Sequence, residues 1–446
     1  MFRWMQSITA KVLGIGLLAL LMLIPLTQAD GLVRERQAMR DTAVARVAEG
    51  WGGPQVIGGL VLAVPTQRES HDAVGAVAKV IDGTEIVLAD DLDTVADLTV
   101  DKRSSGMYVV PTYTGEVTVR GHFLPADLRR FAAETGATWF TGKAEVRVLI
   151  ADTRGLQGIT SVMVDGHATR LSSSTARMGP YTVLSAPIII IEPDREAPIE
   201  FELRLSVAGT ESFSSLPLAR TNSVRMRSAW PDPSFTGALL PTKRSVTPAG
   251  FDASWKILDL NRAYGQHWDA ASPDVDQRLA PSSFGVKLYQ PGGVYQQNDR
   301  AGKYGLLFIA LTFVAFFLFE VLKGLRLHPV QYLLVGAAMT SFYVLLLALS
   351  EQIGFGPAYA VAAAAVVLIV GGYAMAALRA RTAGLALGGV LTLVYAILYG
   401  LIGAEQYALL IGSVVLVAVI ALLMYLTRRI DWYAQGAPLN PTSETP

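Results

Sequence analysis

From Tyr304 to Leu322 the chain reads YGLLFIALTFVAFFLFEVL, with one charge, Glu320, close to its end. A helix rising 1.5 Å per residue needs about 20 apolar residues to cross the hydrocarbon core of a bilayer. Four more stretches of that length follow: Val330–Ser350, Ala358–Leu378, Ala383–Ile402 and Tyr407–Thr427, none with a formal charge. Helix is the expected form, because an isolated strand in lipid leaves its backbone groups unpaired. The competing reading is a set of core helices in a large soluble protein. Five consecutive stretches of full spanning length argue against it.

Working outward, a sixth apolar run lies near the N-terminus, where Val12–Ala29 reads VLGIGLLALLMLIPLTQA. Arg3 and Lys11 precede it, and Thr27-Gln28-Ala29 before Asp30 resembles a signal-peptide cleavage site. The run is longer than the usual signal core and Pro25 breaks it near its outer end, so an uncleaved anchor is the favoured reading. Leu32, Met39, Ala43 and Val47 share one helical face, which extends the helix beyond the bilayer.

Cations mark orientation, because Lys and Arg in short loops are retained in the cytoplasm. Lys323 and Arg326 follow the second run, and Glu351–Pro357 carries no cation. Arg379 and Arg381 come next, then a break without any, then Arg428 and Arg429. The alternation puts the C-terminus in the cytoplasm, and counting back puts Met1 there too. Arg34, Arg36 and Arg40 offend the rule, but long translocated domains escape it. Tyr304, Tyr332, Tyr407 and Asp431-Trp432-Tyr433 lie where amphipathic rings prefer the headgroup zone. Gly384 and Gly388, with Gly371-Gly372, suggest close helix contacts.

The block between the first and second runs, residues 31–303, holds 29 Lys+Arg and 31 Asp+Glu. Its pattern has period two, as in Glu116–Arg120, Glu145–Leu149, Glu200–Leu205 and Asn222–Arg227. Charges on one face and aliphatics on the other describe half-buried antiparallel strands. Turn residues separate them, as at Asp165-Gly166 and Ala249-Gly250. Ala126–Thr135 and Trp255–Tyr264 read as helices. The size leaves room for one sandwich or two, with a break near Pro180–Pro198. Trp230-Pro231-Asp232-Pro233-Ser234-Phe235, two prolines around an acid between aromatics, reads as a rigid extended loop. It is either a contact surface or a corner with its rings tucked inward.

Composition narrows the function. Hydrophobic residues make up 52% and charged residues 17%, against about 25% charged in ordinary soluble domains. The 37 cations balance the 37 anions and Cys is absent, so no polyanion-seeking surplus points to nucleic acid and no thiolate chemistry is available. His71, His122, His167, His267 and His328 show no metal-ligand spacing, and no P-loop, nucleophile elbow or HExxH occurs. The expectation is no catalytic residue, no cofactor and no metal. Glu320, His328 and Glu351 are the candidate ionisable groups at the membrane boundary, where an ionisable group is costly and calls for a partner. Glu320 has Lys323 one turn on, or water at the inner boundary.

Several stretches carry a resemblance: Arg326-Leu327-His328-Pro329-Val330-Gln331-Tyr332-Leu333-Leu334-Val335-Gly336, Phe308–Phe317 with Phe319-Glu320, Tyr343–Glu351 (YVLLLALSE), Trp230–Phe235, Leu240–Arg244 and Ile430–Ala434. They resemble the CreD family of inner-membrane, cell-envelope integrity proteins of Gram-negative bacteria. The likeness spans most of the chain and is weaker in the early exported region and in the fourth and fifth helices. It implies an uncleaved first helix, a periplasmic site for residues 31–303, and a part in envelope maintenance, colicin tolerance and responses to β-lactam stress. No catalytic or ligand-binding residue comes with it.

Together these readings predict a membrane protein: an α-helical bundle of six transmembrane helices, one N-terminal plus five C-terminal, with a large, mainly β, antiparallel sandwich-like periplasmic domain. Residues 1–30 form the anchor, 31–303 the exported domain, 304–430 the five-helix domain and 431–446 a cytoplasmic tail. The expected role is non-enzymatic: the exported domain binds or positions an envelope protein or glycan, and the bundle sits in the lipid bilayer. A small transporter or channel formed by the C-terminal helices and a membrane-bound envelope hydrolase are the alternatives. Oligomeric state is not readable from the sequence.

Overall fold

Pro25 decides the first feature of the fold. It offers no N–H to the carbonyl of Leu21, and its ring crowds that carbonyl. In the computed structural model, which describes residues 8–71, 77–188, 195–288, 293–323, 327–377, 381–404 and 407–428, α1 (Ile8–Leu21) stops there and α2 (Leu23–Trp51) begins. Met22 bonds back to Leu18 and Leu26 to Met22, so Ala10–Trp51 forms one continuous helical run of 42 residues with its apolar part at the N-terminal end. The helix does continue past the apolar segment, as the face through Val47 predicts.

The chain divides into two compact units. One joins Met1–Met39 to Gly292–Pro446, and the other is Arg40–Pro291. The β unit follows α2 with β1 (Gln55–His71), β2 (Val77–Val87), β3 (Ala89–Ser105), β4 (Tyr108–Phe123), α3 (Pro125–Thr135), β5 (Thr138–Trp139), β6 (Glu145–Ile150), β7 (Leu156–Val164) and β8 (His167–Ala168). Then come β9 (Ser172–Met178), β10 (Tyr181–Pro187), β11 (Ile199–Thr210), β12 (Ser212–Leu216), β13 (Ala219–Ser228), β14 (Pro233–Gly237), β15 (Lys243–Thr247), β16 (Gly250–Leu258), β17 (His267–Asp269), α4 (Pro273–Leu279) and β18 (Phe284–Leu288).

These strands build two sheets. The first runs β14-β18-β12-β1-β6-β10-β9, with β2, β5 and β17 attached around β1; the second runs β15-β16-β13-β3-β4-β11-β7-β8. Most pairs are antiparallel, as expected. Two are parallel, β1 with β12 and β3 with β13. The Pro180–Pro198 region is where the chain leaves the first sheet after β10 and enters the second at β11, and residues 189–194 of it lie outside the described residues.

In the second sheet the period-two reading holds. Phe201, Leu203, Leu205 and Val207 of β11 are buried while Glu200, Glu202 and Arg204 face outward. The first sheet is different, because both its faces are covered. Leu60, Leu62 and Val64 pack with Leu92, Val119 and Leu203 between the sheets, while Val61 and Ala63 pack with Tyr264, Trp268 and Leu279 on the other side. Double coverage explains why β1 reads as a continuous apolar run and why Arg147 of β6 is buried, paired with Glu145. Each fully buried aliphatic side chain contributes roughly 1.5–3 kcal/mol. The Asp165-Gly166 turn is present, both residues having positive φ as a two-residue hairpin requires.

Ala126–Thr135 is helical as α3, but Trp255–Tyr264 is not a helix. Phe251, Ala253, Trp255 and Ile257 alternate into the core as strand β16, followed by a single 3-10 turn at Asp259–Asn261. The period is two, and the sandwich interior claims every second residue.

The helical unit continues with α5 (Val294–Lys303), α6 (Gly305–Lys323), α7 (Pro329–Ile353), α8 (Phe355–Ala377), α9 (Arg381–Gly403) and α10 (Ala408–Thr427). Among the described residues, four runs are long and apolar enough to cross a membrane: Ala10–Trp51, Pro329–Ile353, Phe355–Ala377 and Gly384–Gly403. A fifth counts if α5 and α6, bent by 46° where they meet, act as one. The sixth expected crossing falls on α10, whose Leu410–Tyr425 is a shorter apolar helix. A Cβ on Gly371 of α8 would lie 3.7 Å from Gly388 Cα of α9, the close approach that small residues permit. Around Phe342, the rings of Tyr343, Tyr359 and Tyr395 fill the bundle interior. Arg326, Arg379, Glu405, Arg429 and Asp431-Trp432-Tyr433 lie outside the described residues.

Candidate functional site

The break between α6 and α7 carries His328 and Pro329, and their chemistry shapes the site. Proline suits the first helical position, where its missing N–H costs nothing. His328 caps α7: its Nδ1 accepts from Val330 N–H at 3.3 Å, and its own N–H donates to Gln331 Oε1 at 3.1 Å. The cap sets the first turn of α7 so that Tyr332 faces back towards α6. Its hydroxyl donates to Glu320 Oε2 at 2.9 Å, and the backbone N–H of Leu327 donates to Oε1 at 3.0 Å.

The cation on Glu320 is Lys11 of α1, whose ammonium donates to Oε1. The carboxylate is thus held inside rather than snorkelling into water, while the Lys323 side chain, the expected local partner, lies outside the described residues. The Glu320 side chain is 3% exposed and Lys11 34%. A partner one turn away on the same helix stays on that helix's surface, whereas a neighbouring helix can bring its charge inside. Tyr332 is likewise buried, its ring edge-on to Phe313. A buried charge persists when it is paired and its remaining valences are hydrogen-bonded, and three donors on two carboxylate oxygens meet that condition.

Lys11, Glu320, His328 and Tyr332 line one cavity of about 530 Å³. Ala10, Gly14, Ile15 and Leu18 supply its wall from α1, and Leu327 and Pro329 face them. The site therefore joins a saturated carboxylate to an apolar chamber.

Glu351 belongs to a second cluster at the far end of α7. It accepts from the Tyr295 hydroxyl at 3.0 Å, Arg36 Nε stands 3.9 Å away, and beside it Asn298 donates to Ser350 Oγ at 3.0 Å. Nineteen residues of helix separate Tyr332 from Glu351, about 30 Å and one hydrocarbon thickness.

In the Trp230–Phe235 loop the two end rings turn inward. Trp230 is partly buried and its Nε1 donates to the Asp232 carbonyl at 3.1 Å. Pro233 begins β14, and Phe235 packs against Phe251 and Trp255 at 6.0 and 5.9 Å. Pro231 is exposed and Asp232 half-buried.

Elsewhere in the β unit, α3 is fastened to its surroundings by two charge clusters. Arg220 donates to Asp90 at 2.7 Å and to Asp127 at 2.5 Å, with His122 3.6 Å from Asp90. His267 stacks on Phe131 and stands 3.5 Å from Glu85 and 3.4 Å from Glu134. The hydrogen bond to Glu85, aided by Glu134, holds the His267 pKa above its ordinary value against the opposing effect of burial. Sequence reasoning missed both clusters, because their members lie on β2, β3, β4, α3, β13 and β17, far apart in the chain. Among the described residues no group of three or more His, Asp or Glu could hold a metal ion.

Comparison with known proteins fits this arrangement. A family model described as inner membrane protein CreD matches residues 7–433. An Escherichia coli K12 protein named inner membrane protein CreD is 32% identical over 431 residues, covering 95% of this chain and 94% of the relative. A match of that extent on a chain with four to five apolar helices of spanning length makes this a multi-pass inner-membrane protein and a member of the CreD family.

Proposed function

We propose that the chain is a non-enzymatic envelope protein. Its β unit faces the periplasm, both chain ends lie in the cytoplasm, and the β unit binds or positions an envelope protein or glycan for envelope maintenance under stress. The observation that carries the orientation is the alternation of cations between the C-terminal helices: two, none, two, none, two. The role as a positioning element is supported by a large β unit entered through α2 and left ahead of α5, so that it is attached to membrane helices at both its ends.

Alkaline phosphatase fused after Ile150 should be active and fused to the C-terminal tail inactive; the opposite pattern sinks the orientation. Cross-linking the full-length protein in intact cells should recover a reproducible envelope component through the β unit, and a featureless background would remove the positioning role.

A second reading, a small transporter or channel, is favoured by the Lys11–Glu320 pair lining a cavity within the helical unit. It requires solute or ion flux in proteoliposomes that changes when Glu320→Gln is introduced. Flux-free vesicles exclude it.

A further inference from the structure

We propose that the cavity between α1, α6 and the start of α7 binds an anionic phospholipid, with the phosphate against Lys11 and His328 and the glycerol and one acyl chain along the apolar wall. The polar groups around the cavity are unequally engaged. Both Glu320 oxygens are occupied, and the Tyr332 hydroxyl has already donated. Lys11 spends one of its three N–H donors on Glu320 and is one-third exposed. The exposed His328 accepts a backbone N–H at Nδ1, which leaves the proton on Nε2. The N–H donors still available are those of Lys11 and His328, so the ligand head that takes them is a cluster of anionic acceptor oxygens, and a phosphate is the compact form of that chemistry.

The rest of the ligand must be apolar, because Ala10, Gly14, Ile15 and Leu18 form one wall and Leu327 and Pro329 the other. Ile15 also borders a second groove of about 340 Å³, lined by Gly16, Ala19, Phe313 and Phe317, along which a hydrocarbon chain can run. A charged head beside a dry channel, in a bundle that crosses a membrane, fits a bilayer lipid better than a free anion. The proposal does not depend on which leaflet this end of the bundle faces.

The test uses full-length protein in detergent, with bound lipid measured by native mass spectrometry. Phosphatidylglycerol should be retained about tenfold over phosphatidylcholine, a difference of about 1.4 kcal/mol. Nothing lies within 4 Å of a Cβ built on Gly14, so Gly14→Leu fills the chamber without touching the ion pair and should cut retention about tenfold. Ala10→Leu, on the same wall, serves if that variant does not fold. Lys11→Gln should abolish the preference for the anionic lipid. Equal retention of the two lipids, indifference to both wall variants, or displacement of the lipid by inorganic phosphate alone would each overturn the proposal, the last by identifying a free-anion site.

Discussion

On the outer face of the second sheet, Arg227 meets Asp97 at 2.7 Å and Arg225 meets Asp252 at 2.5 Å, and all four side chains are more than a third exposed. In the helical unit the Lys11–Glu320 pair has its carboxylate almost wholly removed from solvent. The chemistry is the same and the energetic weight is not. Exposed pairs are screened by water and salt and are worth about 0–1 kcal/mol. A buried pair is a poor source of net stability, yet removing one partner strands the other and costs about 3–5 kcal/mol. What distinguishes the two regions is what remains after a deletion.

The largest expected effect is therefore Lys11→Met, which should destabilise the detergent-solubilised protein by about 3–5 kcal/mol. Lys11→Met combined with Glu320→Gln should recover most of that loss in a thermal-melt assay, and no recovery would mean that the pair is not the coupling element. Next comes Tyr332→Phe, which removes one donor from a buried carboxylate and should cost about 1.5–3 kcal/mol. In the β unit, Ile257→Val leaves a one-methylene gap beneath β16 and should cost about 1 kcal/mol. Were Trp255–Tyr264 a surface helix, the change would be close to neutral.

His267 sharpens the comparison through pH. Its folded pKa is raised, so its contribution is complete below the ordinary value of about 6.5 and fades as pH climbs through the folded value. Glu85 and Glu134 must stay ionised for it to count. Wild type should thus exceed His267→Gln in melting temperature near pH 6 and match it near pH 9; a constant gap would assign the effect to packing on Phe131. The smallest change is Arg227→Ala, expected within about 1 kcal/mol and shrinking further in high salt.

The helical runs were legible because a bilayer imposes one length and one composition on every crossing, and Val330–Ser350 displays both. The strands of the second sheet were legible because one face meets water, so Glu200, Glu202 and Arg204 announce the period. The first sheet hid its period under double coverage. Trp255 and Ile257 stand two apart, the period of the strand that buries them both. Glu320 was visible as an anomaly, but its partner was not, since Lys11 lies 309 positions away and local sequence does not specify which helix will supply a cation. Tyr332 was read from its position at the segment edge, and only the cap at His328 turns it inward.

The parallel pairing of β3 with β13 has a consequence for biogenesis. Asp91 finds its neighbour in Thr221, roughly 130 residues later, so at about 5–20 residues per second the ribosome delivers the partner strand some ten seconds after β3 appears. Until then the β3–β4 hairpin presents a bare hydrogen-bonding edge, and contacts of such long sequence separation form slowly. During that interval the β unit carries an open edge that the helices, closed by local hydrogen bonds, never present.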